Sequence, residues 1–230
     1  FVFTMHHIIS DGTSTDVFIR ELGALYQAYS SGKASPLTEL SIQYADYAQW
    51  QRETLQGEKL DQQLHFWRQQ LVGHEPLQLE SDFSRPNELG NHGKTTLFKL
   101  NSQTSLLLNR LCKSGITLYM VLLSVFYIML KKYSNQSDIC IGTPVAGRPR
   151  AELQELIGFF INTLVMRVEQ PEPVTFAELL TQVKNVALDA FGHQDIPFEK
   201  LVESLHPERD MSRSPFFSSH VNFSKFPIDR

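Results

Sequence analysis

Cysteine is scarce in this chain: Cys112 and Cys140 are the only two in 230 residues. So sparse a pair builds no disulfide framework and suits a reducing compartment, so a cytoplasmic location is expected. An excess of positive charge is also missing. Lys and Arg number 21 against 25 Asp and Glu, a formal net charge of -4, which leaves no basic footprint for nucleic acid. Long apolar runs are absent as well. The longest, Ile116 to Leu130, stops at Lys131-Lys132, short of the roughly 20 residues that span a bilayer; it reads as a buried core helix. No signal-peptide pattern, internal repeat or low-complexity tract is visible. The chain does have a hydrophobic content of 42%, enough for a sizeable core.

Against this background one heptapeptide stands out: His6-His7-Ile8-Ile9-Ser10-Asp11-Gly12. It gathers two imidazoles, a carboxylate and a glycine between an apolar run and an amphipathic helix. Histidine is the side chain best placed to move protons near neutral pH. Gly12 lets the backbone turn sharply or approach a ligand closely. A lone His-His pair is more often structural than catalytic, so the pair needs independent support. Metal binding finds little. His7 and Asp11 offer two ligands, closed or catalytic sites need three or four, and neither a third ligand nor an H-E-x-x-H pattern is present.

Periodicity places the segments. Residues 1–5 read as a strand. A helix over 14–30, capped by Ser14 or Thr13, puts Phe18, Leu22, Leu25, Tyr26 and Tyr29 on one face. Gly32 and Pro36 mark its exit. Helices are expected over 42–55 and 60–71, the first using Tyr47 and Trp50 for packing. Turn formers fill 74–93, the best linker candidate. Beyond it, strands are expected over 95–100, 138–143, 162–168 and 216–223. Helices fall at 105–113, 118–133, 176–191 and 197–205, the last with Pro197 at its first position. The fold class is α/β, an α+β sandwich.

The independent support comes from motifs in series. The heptapeptide resembles the His-His-x-x-x-Asp-Gly signature of the condensation domains of nonribosomal peptide synthetases. Further family blocks follow in order: Tyr44-Ala45-Asp46-Tyr47-Ala48-Gln49-Trp50-Gln51, Ile141-Gly142-Thr143-Pro144-Val145-Ala146-Gly147-Arg148, Ile157-Gly158-Phe159-Phe160-Ile161-Asn162-Thr163 and His193-Gln194-Asp195-Ile196-Pro197-Phe198-Glu199. Five blocks in the family's order are highly specific, and they reverse the reading of the histidines.

The resemblance implies a chloramphenicol-acetyltransferase-like fold, with two lobes forming a V around a tunnel. By that resemblance this chain is an internal fragment: 1–73 the end of the first lobe, 74–93 the inter-lobe linker, 94–230 most of the second lobe. The implied activity is amide formation, in which the amine of an aminoacyl thioester attacks an acyl or peptidyl thioester. No bound cofactor is expected. Both substrates arrive on the phosphopantetheine of carrier proteins, so the implied partners are upstream and downstream peptidyl carrier proteins and an adjacent adenylation domain, with no nucleic acid and no membrane.

The catalytic candidates are His7 and Asp11, with His6 and Gly12 as motif support. His7 serves as base or positioner of the amine. Asp11 is expected to act as an anchor, ion-paired with an arginine upstream of Phe1, so the fragment alone is expected to be inactive. His6 is expected to turn into strand packing, and Gly12 to offer an amide near the oxyanion. Asn162 and Asn222 are tunnel candidates; Arg148, His193, Asp195 and Glu199 are expected to fix their loops. Thr13, where many relatives carry tryptophan, and Ser218-Ser219-His220 depart from the family pattern. Rival readings are an epimerisation domain, a degenerate recruitment domain and a free-standing acyltransferase. Heterocyclisation relatives replace the histidine pair with aspartates, which this chain does not.

Overall fold

The computed structural model describes residues 2–83, 93–170, 172–205 and 214–224. The chain divides into two compact units. One gathers Phe1–Gln63 and Val145–Asn162; the other gathers Leu64–Pro144 and Thr163–Arg230.

The first unit is helical. A single 3-10 turn, His7–Ile9, precedes helix α1, Gly12–Ser30. The cap is Asp11, not Ser14 or Thr13: its carboxylate accepts the Ser14 N–H at 2.8 Å. An extended residue with a short acceptor is what satisfies the orphan amides of a first turn. Ser14, Val17 and Ala28, at helical spacing, are buried, whereas Tyr26 and Tyr29 are 75% and 61% exposed. The apolar face expected from spacing is therefore covered only in part, Phe18 by its ring contact with Phe3.

Helix α2, Tyr44–Thr54, starts where Asp46 accepts the Gln43 N–H at 2.7 Å. Its Tyr44 and Tyr47, with Ile42, pack on a core of Leu153, Leu156 and Phe160. The packing reading of the α2 aromatics thus holds for Tyr47, and Trp50 lies under the Arg150 guanidinium at 4.6 Å.

Helix α3, Gly57–Leu71, runs past the division of the chain. In the second unit its Trp67 is buried and donates to the His193 carbonyl at 3.0 Å, and Phe66 stacks on the His193 ring at 3.7 Å. Helices α4, Ser102–Leu111, and α5, Leu118–Ser134, follow, then strand β1, Asp138–Val145, strand β2, Asn162–Glu169, and helices α6, Phe176–Gly192, and α7, Phe198–Leu205. β1 and β2 pair with each other. Arg167 of β2 grips Asp138 of β1 through two hydrogen bonds of 2.8 and 2.7 Å.

α5 is the apolar run read as a core helix. Tyr119, Met120, Val121, Leu123, Tyr127 and Leu130 are buried along it, and it packs against α6. Both helices carry a threonine cap, Thr117 and Thr175. Pro197 precedes α7 rather than starting it, its carbonyl accepting the Leu201 N–H. Residues 74–83 have no regular structure, yet Leu77 is buried and Gln136 holds both Gln78 N–H and Pro76 O.

Three expected strands are absent as strands. Residues 2–5 and 95–100 have no regular structure, and 216–223 makes one isolated parallel bridge, Gly142 to His220. Strand-forming residues record fitness for a sheet, but a strand exists only when an edge supplies a run of hydrogen bonds; 216–223 gains two, both with Gly142. No helix among the described residues is long and apolar enough to cross a membrane.

Candidate active site

The heptapeptide folds as a tight knot in the first unit. His6 is exposed and its Nδ1 accepts the Ile8 N–H at 3.0 Å. It therefore caps the 3-10 turn instead of turning into strand packing; an acceptor is what the orphan amide of such a turn needs. Ser10 is buried and its hydroxyl donates to the His6 carbonyl at 3.3 Å. His7 is exposed. Among the described residues its ring has no hydrogen-bond partner; it meets the Phe159 ring edge-on, centroids 5.5 Å apart at 83°.

Asp11 is buried and its anchor is in this chain. The expected arginine upstream of Phe1 is not needed: the partner is Arg148, 137 residues along, whose Nη2 lies 3.1 Å from Asp11 Oδ1 and 3.3 Å from Oδ2. Both side chains are 1% exposed. A buried ion pair stands only when its remaining hydrogen-bonding groups are met, and here nearly all are. Arg148 Nη1 donates to the carbonyls of Leu153, 2.5 Å, and Leu156, 2.7 Å. The guanidinium lies over the Phe160 ring at 3.9 Å, a cation–π contact. Within this ion pair Arg148 Nε is the one buried polar atom without a partner among the described residues. Asp11 Oδ2 also accepts the Phe160 N–H at 3.1 Å.

Ser14 is the node that sequence reading missed, beyond a capping part it does not play. Its fully buried hydroxyl lies 2.8 Å from Asp11 Oδ1 and 2.8 Å from Gly158 O, its proton able to serve either. It accepts from Arg148 Nη2 and from Gly158 N, both at 3.0 Å. Tyr44 completes the strap over 158–160, its hydroxyl donating to Phe159 O at 2.7 Å. Burial, then the nearby Asp11 carboxylate, raise the Tyr44 pKa, while Arg148 lowers it less; the phenol stays a donor.

Two glycines make the strap possible. Gly147 has φ 65°, and a Cβ there would collide with the Phe160 carbonyl; at Gly158 it would collide with the Tyr44 ring. Gly147→Ala and Gly158→Ala are each expected to lower stability by about 1–3 kcal/mol through strain and overpacking, read as a drop in unfolding temperature. Gly12 differs. A Cβ at this first residue of α1 would meet nothing within 4 Å, so no close approach within the chain requires glycine there.

Of the remaining candidates, Asn162 closes the Val145–Asn162 segment of the first unit, and Asn222 and His193 belong to the second unit. Asn162 opens β2, partly exposed; Asn222 is exposed, two residues past the bridge at His220. His193 is a packing residue, its ring nitrogen 2.8 Å from Asp189 O. Among the described residues no group of three His, Cys, Asp or Glu could hold a metal.

The sequence matches the family description "Condensation domain" over residues 1–230. It is 48% identical over 231 residues to one of the linear gramicidin synthase proteins of Brevibacillus parabrevis, covering 100% of this chain and 4% of that protein. The fold is similar to the X-domain in its complex with OxyB from teicoplanin biosynthesis, with TM-score 0.85 and 29% identity, covering 94% of this chain and 49% of that one. It is also similar to the first condensation domain of the calcium-dependent antibiotic synthetase in complex with a substrate analogue, with TM-score 0.76 and 19% identity, covering 98% and 48%. The chain thus spans about half of these solved chains and a small part of the curated relative.

Proposed function

This chain belongs to the condensation domain family, and on that premise we propose that it supplies the catalytic segment of an amide-forming domain in nonribosomal peptide synthesis. The donor is an acyl or peptidyl thioester on one carrier protein. The acceptor is the amine of an aminoacyl thioester on the next. The amine nitrogen attacks the thioester carbon, the tetrahedral species loses the nitrogen proton, the C–S bond breaks, and thiol and amide remain. The observation that carries this reading is the contrast within seven residues: Asp11 is locked in an ion pair, whereas the His7 ring is exposed with both nitrogens uncommitted among the described residues.

An uncommitted imidazole serves in two ways. As a base it takes the nitrogen proton, an effect usually of ~10²–10⁴-fold. As an acceptor it orients the amine, and near-attack positioning is worth about 7–11 kcal/mol overall. Asp11, fully engaged by donors, is an anchor rather than a proton carrier.

A second reading, non-catalytic recruitment, draws on the likeness to an X-domain solved in complex with OxyB. Retention of His6 and His7 favours the catalytic one. The test loads two carrier proteins and incubates them with the full-length protein that carries this chain. Transfer of the donor to the acceptor amine, followed by mass, is the expected result. Inversion of the donor α-carbon without transfer supports an epimerisation domain, and neither product supports recruitment.

A further inference from the structure

We infer that Phe159 is a positioning residue that holds the His7 imidazole in its working orientation; this rests on the catalytic reading of His7 above. An exposed histidine on a one-turn helix is ordinarily free to change rotamer. His7 has no hydrogen bond to its ring among the described residues, and its ring contact is the edge-on one with Phe159. Edge-to-face geometry is a preferred aromatic arrangement and selects orientation as well as distance.

Phe159 is itself held by backbone hydrogen bonds on both sides. The peptide groups on either side of it are tied to the heptapeptide's own helix: Gly158 N–H and C=O to Ser14 Oγ, Phe160 N–H to Asp11 Oδ2. Its own carbonyl is tied to Tyr44. The circuit is closed. Asp11 fixes Phe160, Phe160 carries Phe159, and Phe159 leans on His7, four residues before Asp11. The two adjacent phenylalanines divide the work. Phe160 is buried against Arg148, Tyr44 and Tyr47 as core. Phe159 stays partly exposed, a placement that core packing does not require and that reaching His7 does. The ion pair at Asp11 thereby acts on the reacting end of the motif through an aromatic ring.

The experiment is a single-turnover assay with preloaded carriers and the full-length protein. Phe159→Leu is expected to slow amide formation about 10–100-fold, the scale of a misplaced catalytic group. Phe159→Tyr, which keeps the ring, is expected within about twofold of wild type. In a His7→Ala background Phe159→Leu is expected to add no further loss, because it acts through that ring. If the leucine variant fails to fold, Phe159→Met takes its place. A wild-type rate for Phe159→Leu beside a slow His7→Ala overturns the inference and leaves the proposed function standing. So does a Phe159→Leu loss that multiplies in the His7→Ala background, the mark of a residue independent of His7. A wild-type rate for His7→Ala itself removes the catalytic reading, and the inference falls with it.

Discussion

His7→Ala in the full-length protein is expected to lower single-turnover amide formation by about 10²–10⁴-fold, the range usual for a general base. The variant removes an exposed ring that accepts and donates no hydrogen bond among the described residues, so the fold loses only an edge contact with Phe159. Unfolding temperature and carrier docking are therefore expected to stay near wild type while the rate collapses. His6→Ala gives the contrast. His6 caps a single 3-10 turn, and its loss is expected to cost about 1 kcal/mol, the usual scale of a cap, with most of the rate retained. A near wild-type rate for His7→Ala across the pH range would defeat both roles.

Asp11→Ala is expected to act on stability first, by about 3–5 kcal/mol, the usual loss on breaking a buried pair. It strands the Arg148 guanidinium at 1% exposure, removes the cap of α1 and frees the Phe160 amide. Arg148→Ala is expected to fall in the same range for a different reason. Asp11 keeps three donors, the Ser14 N–H, the Ser14 hydroxyl and the Phe160 N–H, but the Leu153 and Leu156 carbonyls lose theirs. The double variant is expected to lose less than the sum of the two, since neither charge is then left alone. Denaturant unfolding of the full-length protein and its single and double variants measures all three. Unchanged stability with abolished turnover in Asp11→Ala would make the carboxylate a direct participant in the chemistry.

The helices were legible because their causes are local. Thr175 with Glu178, and the periodic apolar residues of α6, sit within one stretch of chain. The Ile116–Leu130 run was legible as core for the same reason. What failed was whatever depends on a distant partner. The 95–100 segment is rich in strand-forming residues, yet Leu97 and Phe98 are 90% and 83% exposed with no ladder beside them. The apolar face assigned to α1 was set by hydrophobicity, whereas the actual one is set by polar Ser14 and its bonds to Gly158. The motif histidines, aspartate and glycine could be found by spacing. The Asp11 partner could not, because nothing in the sequence says which of 21 cationic side chains reaches a buried carboxylate.

The strap that ties Asp11 and Ser14 to residues 147–160 bears on how such proteins can be recombined. A chimaera with a crossover anywhere between Ser14 and Gly147 takes its carboxylate and hydroxyl from one parent and its guanidinium, glycines and aromatic strap from the other. Spliced sequences inherit these halves without selection for their fit. An exchange that moves 6–14 and 147–160 together, each segment bounded by its own two crossovers, carries the ion pair and the Ser14 bonds across as one, so the unit of exchange here is two separated segments of chain rather than one continuous block.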